Sequence, residues 1–283
     1  MPELPEVQTI VDDLNSLDIF HLPITATQVF WPRTLSGLSP YAFQKRIKGK
    51  TFSRIWRRGK YIVFDLCEGG CLLVHLRMSG RLHWVSGKTE RSKHEHVILH
   101  FKNDWELRFY DPRKFGRFYL LEHFKTFLSV LGPEPLEPEF TLEVLKELMH
   151  SRRRRLKPML LDQSIIAGLG NIYVDEALWE SRIHPNRIAA SLSLSEIKAL
   201  HQAIPKVLKR GLKNFGTSLG NGGANFYSIT KGKGRNRSRL KVFRRTGLPC
   251  PRCKARIQRL IVAQRSTHIC PECQGRGIES IGG

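Results

Sequence analysis

Leu131-Gly-Pro-Glu-Pro-Leu-Glu-Pro-Glu-Phe140 places three prolines in ten residues. Neither a helix interior nor a central strand tolerates that density. The stretch therefore reads as a linker, and the sequence on its two sides has different periods. Upstream, after a short helix over roughly 5–17 with Val7, Ile10, Val11 and Leu14 on one face, apolar residues alternate with period two. The strands expected there are Ile24 to Trp31, Thr51 to Leu66, Cys71 to Val85, His96 to Phe101 and Leu107 to Leu121. Downstream the period lengthens. Leu142, Leu145 and Leu148 share a helical face, and Ser193 with Glu196 forms a capping box ahead of Ile197, Leu200, Ile204, Val207 and Leu208. The fold class is α+β: a β-sandwich with a short helix over 1–131, a linker over 132–140, and a helical domain from 141. The segment Gly216 to Gly234, rich in Gly, Asn and Ser, reads as a mobile loop.

The 283 residues suit about two domains. No apolar run is long enough to span a bilayer, and no secretory leader is evident, so a soluble, cytoplasmic protein without a membrane partner is expected. Lys and Arg number 47 against 25 Asp and Glu, a formal charge of +22. Such an excess repels itself unless a polyanion lies against it, which makes nucleic acid the first candidate partner. The excess is concentrated: Phe226 to Pro271 holds thirteen Lys or Arg and no acid. A solvated face would intersperse both signs, so this segment suits a phosphate-tracking surface.

Cys250-Pro-Arg-Cys253 and Cys270-Pro-Glu-Cys273 form two C-x-x-C pairs sixteen residues apart. That spacing lets the ends of a β-hairpin offer four thiolates tetrahedrally to one Zn²⁺. Four thiolates leave no open position for substrate, so the metal is structural. Cys67 and Cys71 lie in strand-like sequence and read as small buried hydrophobes.

The chain opens Met1-Pro2-Glu3-Leu4-Pro5-Glu6-Val7. Removal of Met1 exposes Pro2 as a secondary amine. An α-amino group titrates near ~8 against ~10.4 for lysine, so part of it is nucleophilic at neutral pH. Glu3 and Glu6 stand beside it as acid/base candidates. The same residues also make an ordinary acidic helix start, and the segment alone does not separate the two readings.

Several segments together do. Pro2 to Val7, His75-Leu-Arg-Met-Ser-Gly80, Asp111-Pro-Arg-Lys-Phe-Gly116, Gly168-Leu-Gly-Asn-Ile-Tyr173 and Gln264-Arg-Ser-Thr-His-Ile-Cys270 occur in order along the chain. In this the whole sequence resembles the bacterial formamidopyrimidine-DNA glycosylases. The resemblance implies a helix-two-turn-helix domain with a lesion-capping loop over 141–248 and a β-hairpin zinc finger over 249–283. It implies excision of oxidised purines (8-oxoguanine, formamidopyrimidines) from duplex DNA, followed by β,δ-elimination at the abasic site through a Pro2 Schiff base. Glu3 is then the acid/base partner, with Glu6 beside it, and Lys60 the donor for β-elimination. Arg265 is the donor for δ-elimination, although arginine is a poor acid and better suited to clamping phosphate. Met78, Arg113 and Phe115 would fill the gap left by an everted nucleotide. His94, Arg113, Arg152, Lys157 and Asn171 would hold phosphates, with Gly168 and Gly170 permitting the turns ahead of Asn171. Damaged double-stranded DNA is the implied partner, met by a monomer with no nucleotide cofactor.

Two places depart from the family's pattern: Gly220-Asn-Gly-Gly-Ala-Asn-Phe-Tyr227, and Val242-Phe-Arg-Arg245 where Val-Tyr-Gly-Arg is usual. They put base preference in doubt, not catalysis. The related endonuclease VIII branch, which prefers oxidised pyrimidines, is the alternative enzyme; Leu4, Met78 and the 111–116 loop argue for the purine branch. A non-catalytic zinc-containing DNA-binding protein on the same scaffold is the alternative of another class.

Overall fold

The structure, a computed structural model, describes residues 1–220 and 226–275. It divides into two compact units, one of Met1–Ser129 with Asn214–Arg235, the other of Val130–Lys213 with Asn236–Gly283.

The first unit is a β-sandwich. Helix α1 (Leu4–Asn15) precedes β1 (Ile24–Val29), α2 (Pro40–Ile47) and seven further strands: β2 (Phe52–Arg58), β3 (Tyr61–Leu66), β4 (Cys71–His75), β5 (Arg81–Ser86), β6 (Glu95–Phe101), β7 (Trp105–Tyr110) and β8 (Arg117–Leu121). A short helix, α3 (Phe124–Ser129), follows them. Two antiparallel four-stranded sheets result, in orders β1-β6-β7-β5 and β2-β3-β4-β8. Their inner faces share one core, in which Phe52 meets Phe101 at 6.0 Å and Phe109 meets Phe118 at 5.1 Å between ring centroids. Val7, Ile10, Val11 and Leu14 of α1 join that core, as the helical period requires. The short helix α2, which the period-two reading passed over, starts at Ser39, whose hydroxyl accepts from Ala42 N, and at Pro40, whose fixed φ suits a first helical turn.

Three of the expected strands are each broken in two. Thr51 to Leu66 turns at Gly59-Lys60, Cys71 to Val85 at 76–80, and Leu107 to Leu121 at 111–116. The first turn returns the chain antiparallel, pairing β2 with β3, whereas the other two carry it from one sheet to the other, β4 to β5 and β7 to β8. Cys71 is buried as expected, whereas Cys67 is exposed in the turn between β3 and β4.

The second unit is built around α6 (Asn171–Glu180), whose residues 172–179 are all buried. Around it stand α4 (Leu142–His150), α5 (Leu156–Leu160) and α7 (Leu194–Lys213). The capping box of α7 forms as the sequence implies, Ser193 N donating to Glu196 Oε2 at 2.8 Å and Glu196 N to Ser193 Oγ at 3.3 Å. The hairpin β9 (Gln258–Val262) and β10 (Arg265–Ile269) and the short α8 (Pro271–Gln274) complete it. The linker is not free-standing: Gly132 N donates to Gln163 O and Ala167 N to Pro133 O, so it lies along the turn that follows α5.

The expected helical domain over 141–248 is interrupted, because 214–235 belongs to the first unit. The described parts of this segment are also tied down, contrary to a mobile loop. Phe226 enters the sandwich core, and Gly234 N donates to Ser218 Oγ. Two carboxylates of α1 hold it as well: Glu6 accepts from Thr217 N at 2.7 Å, and Asp13 from Ile229 N at 2.8 Å and Thr230 Oγ1 at 2.7 Å. Composition suggested mobility because these partners lie more than two hundred residues away. The remainder of the expected loop, 221–225, lies outside the described residues. Among the described residues no helix is long and apolar enough to cross a membrane.

Candidate active site and nucleic-acid interface

In the first unit, the amino terminus is packed rather than trailing. Pro2 and Glu3 are buried, and α1 begins at Leu4. Burial pushes the α-amino group of Met1 below its ordinary value; Glu3 and Glu6 pull it up, and Lys60 and Arg113 push it down. The terminal amine therefore sits in a small field of two acids and two bases, all within this unit. Glu3 N donates to Glu6 Oε2 at 2.9 Å, so Glu6, with its other oxygen on Thr217, accepts backbone N–H groups through both oxygens. That is the geometry of a residue holding the helix start in place. Lys60, 5% exposed, occupies the turn between β2 and β3. His75 lies behind it in β4, its Nδ1 accepting from Arg77 N and its ring against Tyr61 at 4.7 Å. Burial, with Arg77 and Lys60 adding to it, pushes His75 down to about 3, so it is neutral at physiological pH.

Met78 and Phe115 are 45% and 51% exposed. Arg113 Nη1 lies 3.6 Å from Met78 Sδ, so the two turns 76–80 and 111–116 present their side chains together. Asp111, fully buried, makes this possible. Its carboxylate accepts from Ser79 Oγ at 2.5 Å, Arg113 N at 3.2 Å and Gly116 N at 2.8 Å, joining one turn to the other. Glycine is needed where both turns press on Phe109: a Cβ on Gly116 would lie 2.2 Å from its ring, and one on Gly80 at 2.8 Å. Lys114, in the left-handed region at φ 59°, sets its ammonium 4.0 Å from the Trp31 ring centroid. His94 is half-buried, edge-on to Tyr110. Asp111 lay inside a recognised motif but drew no attention, because a turn-forming Asp is ordinary; Ser79 and Trp31 carried no signal.

In the second unit, the expected phosphate ligands separate. Arg152 is half-buried and donates to Ser151 Oγ at 2.8 Å. Asn171 opens α6 at the N-terminal end where an anion is favoured. Its amide nitrogen donates to Ser266 O at 2.8 Å, and its Oδ1 is buried without a partner. Gly168 has φ 85°, which only glycine takes readily, but Gly170 is extended and makes no such demand. Lys157 is not on the surface: its side chain is fully buried, donating to Asp175 Oδ1 at 2.5 Å and to Ser266 O at 3.1 Å. Arg265 is exposed at the start of β10, beside the two-residue turn Ala263-Gln264. Glu176, also buried and unsuspected, accepts from the backbone N–H groups of Lys241, Val242 and Phe243 and pairs with Arg210 at 2.9 Å. It thus holds Val242 and Phe243, the first half of the stretch 242–245 that departs from the family pattern.

The sulfur atoms of Cys250, Cys253, Cys270 and Cys273 all lie within 4.8 Å of one another. Backbone N–H groups of Arg252 and Cys273 donate to Cys250 and Cys270 at 3.4 Å, and Trp179 Nε1 donates to Cys250 at 3.4 Å. Such donors support thiolates. Burial opposes ionisation at Cys250, but the backbone N–H groups of Cys253 and Arg252 and the Trp179 indole bring it down to about 6, while burial drives Cys270 up to about 12. Four thiols this close do not all ionise without a cation among them, and an all-sulfur tetrahedral set suits Zn²⁺.

Comparison with known proteins gives one answer along the chain. Residues 1–118 match the formamidopyrimidine-DNA glycosylase N-terminal domain, 131–221 the formamidopyrimidine-DNA glycosylase H2TH domain, and 247–275 the zinc finger found in FPG and IleRS. A formamidopyrimidine-DNA glycosylase of Protochlamydia amoebophila is 47% identical, over 97% of this chain and 99% of its own length. That of Desulforamulus reducens is 43% identical over 97% and 99%. Among solved structures, a Lactococcus lactis FPG mutant in complex with DNA containing Fapy-dG superposes with a TM-score of 0.90 at 36% identity, covering 97% of this chain and all of that one. The Lactococcus lactis enzyme with DNA containing an abasic site gives 0.88 at the same identity and coverage.

Proposed function

The chain belongs to the formamidopyrimidine-DNA glycosylase family, and we propose that it removes oxidised purines from duplex DNA and then cleaves the abasic strand. The observation that carries this reading is the burial of Pro2 and Glu3 at the start of α1, with Glu3, Glu6, Lys60 and Arg113 all close enough to act on the Met1 amine one residue ahead of Pro2. Once Met1 is removed, the Pro2 nitrogen is the nucleophile. Desolvation lowers the basicity of an amine and so raises the share of it that is unprotonated at neutral pH. The pair attacks C1′ of an everted deoxyribose, and the glycosidic bond breaks with its electrons leaving on the base, which takes up a proton. The attacking amine gives up its proton, and the C1′–O4′ bond then opens with O4′ taking up a proton from Glu3, which leaves a covalent iminium at C1′. Loss of a C2′ proton then expels the 3′ phosphate, and a further elimination expels the 5′ phosphate.

Glu3 moves protons at the sugar, and Glu6 holds the helix start that carries Pro2 and Glu3. Lys60, with neutral His75 behind it, supplies the proton for the first elimination. Met78 and Phe115 wedge the gap in the stack, while Arg113 meets the orphaned base. His94 and Arg152 contact phosphate, and Asn171 does so from the first turn of α6. Lys157, being buried, supports that surface from beneath. Arg265 clamps the phosphate that leaves in the second elimination. The four cysteines hold one Zn²⁺, which supplies structure alone.

Fapy-dG, the lesion in the Lactococcus lactis complex, represents the substrate class proposed for this chain. The endonuclease VIII alternative is disfavoured, since the curated relatives are formamidopyrimidine-DNA glycosylases over their whole length. The working protein is a monomer in the cytoplasm, bound to the nucleoid and using no nucleotide cofactor. Borohydride trapping on matched duplexes tests the proposal. An 8-oxoguanine duplex should yield a covalent adduct at least tenfold faster than one with an oxidised pyrimidine. The reverse order would move the chain to the other branch, and no adduct with either would leave a binding protein.

A further inference from the structure

Lys157 and Asp175 form an ion pair in which both side chains are fully buried. Burying such a pair is costly, and it is retained only where further hydrogen bonds complete it. Here they do. Asp175 Oδ1 accepts from Lys157 Nζ at 2.5 Å, and Oδ2 accepts from His268 N at 2.9 Å and lies 3.1 Å from His268 Nδ1. Lys157 Nζ and, one helical turn before Asp175, the Asn171 amide both donate to Ser266 O, at 3.1 and 2.8 Å. The carboxylate thus stands at the centre of a network that grips β10 at 266 and 268, immediately after Arg265.

The turn on the other side of Arg265 makes this grip consequential. Ala263 and Gln264 occupy the left-handed region at φ 46° and 59°, with no glycine to ease either position. Two such residues match the twist of a two-residue hairpin, but a strained turn persists only where its surroundings over-determine it. Ser266 pairs with Ile261 and His268 with Arg259 in the ladder, so fixing 266 and 268 fixes the register of the hairpin and the point from which Arg265 extends.

We infer that Asp175 is a positioning residue for the second elimination, setting the place of Arg265 through Lys157 and His268. The inference rests on the role proposed above for Arg265. An asparagine at 175 presents an N–H to one of two donor groups whichever way its amide turns, so the network breaks although side-chain volume hardly changes.

The test is the ratio of β,δ- to β-elimination product from a duplex carrying a preformed abasic site. Bound zinc and the single-turnover rate of base release from an 8-oxoguanine duplex are measured alongside. Asp175→Asn should lower the ratio about tenfold or more, the scale of a catalytic group misplaced by a fraction of an ångström, while zinc stays at one per chain and base release falls by less than about threefold. His268→Ala should lower the ratio in the same way. His268→Asn, which keeps a side-chain donor near the Nδ1 position, should restore it, and this pair decides the matter if Asp175→Asn sheds its zinc. A wild-type ratio in Asp175→Asn with zinc retained, or equal ratios in the two His268 variants, would overturn the inference. Arg265→Ala separates the levels: an unchanged ratio there removes the role of Arg265 itself, and the positioning argument with it.

Discussion

Replacing Glu6 by glutamine changes one oxygen into an amide nitrogen at a residue that is 1% exposed. Both carboxylate oxygens accept backbone N–H groups, from Glu3 at 2.9 Å and Thr217 at 2.7 Å. A glutamine amide has one acceptor oxygen, so one of those groups must face a donor. Leaving a buried N–H unsatisfied costs about 1–3 kcal/mol. For a unit of this size each kcal/mol lowers Tm by roughly 2–4 °C, so the sandwich transition should fall by about 2–12 °C. Activity should fall further than stability suggests, because the Glu3 backbone is one of the two groups held and Pro2 is next to it. Displacing a reacting group by about an ångström costs on the order of a hundredfold. Single-turnover borohydride trapping, run well below the new Tm, reads this loss directly. A variant with the lowered Tm and a wild-type trapping rate would refute the idea that Glu6 aims the amine. An unchanged Tm would show that these two hydrogen bonds hold nothing in place.

The other predictions concern the turns, the buried histidine and the metal. Gly116→Ala puts a methyl group 2.2 Å from the Phe109 ring, an overpacking worth about 1–3 kcal/mol; lesion-duplex affinity by fluorescence anisotropy should drop with Tm, and unchanged affinity would detach the wedge turns from binding. His75, held down to about 3 by burial, stays neutral in the folded protein while the unfolded chain takes up a proton below about 6.5. The unfolded state therefore binds more protons between those values, and stability is lost as pH falls through that window, by about 2 kcal/mol from pH 7 to pH 5. Denaturant unfolding of His75→Gln should show a flatter slope over this range, and an identical slope would contradict the assignment. Chelating zinc should abolish DNA binding while the circular dichroism of the sandwich persists, since the finger's small core of Val242, Cys250, Ile257 and Cys270 gathers on Trp179 of α6 in the second unit. Simultaneous loss of both signals would contradict it.

The parts of this protein that were legible in its sequence are those governed by short-range rules. Cysteine spacing gave the metal site, because tetrahedral sulfur coordination constrains few residues closely. The Ser193–Glu196 box gave the start of α7, because both partners lie within one turn. Strands were legible as alternation, but alternation alone does not show where a strand ends, or whether the chain then folds back or crosses to the other sheet. The three long runs break at Gly59-Lys60, at 76–80 and at 111–116, the turns that carry Lys60, Met78, Arg113 and Phe115. Glycines at 59, 80 and 116 were the available signal. Long-range attachments were invisible: nothing near Glu6 or Asp13 announces that each will hold the segment around 217 or 229. Lys157 misled for the same reason. A lysine among arginines reads as surface charge until Asp175, eighteen positions on, takes its proton donors inward.

Mass spectrometry of the trapped complex tests the central claim most directly. After borohydride reduction and proteolysis, the deoxyribose remnant should be found on Pro2, in a peptide that begins at Pro2. Finding it on Lys60, or finding a fully active chain that retains Met1, would contradict the account.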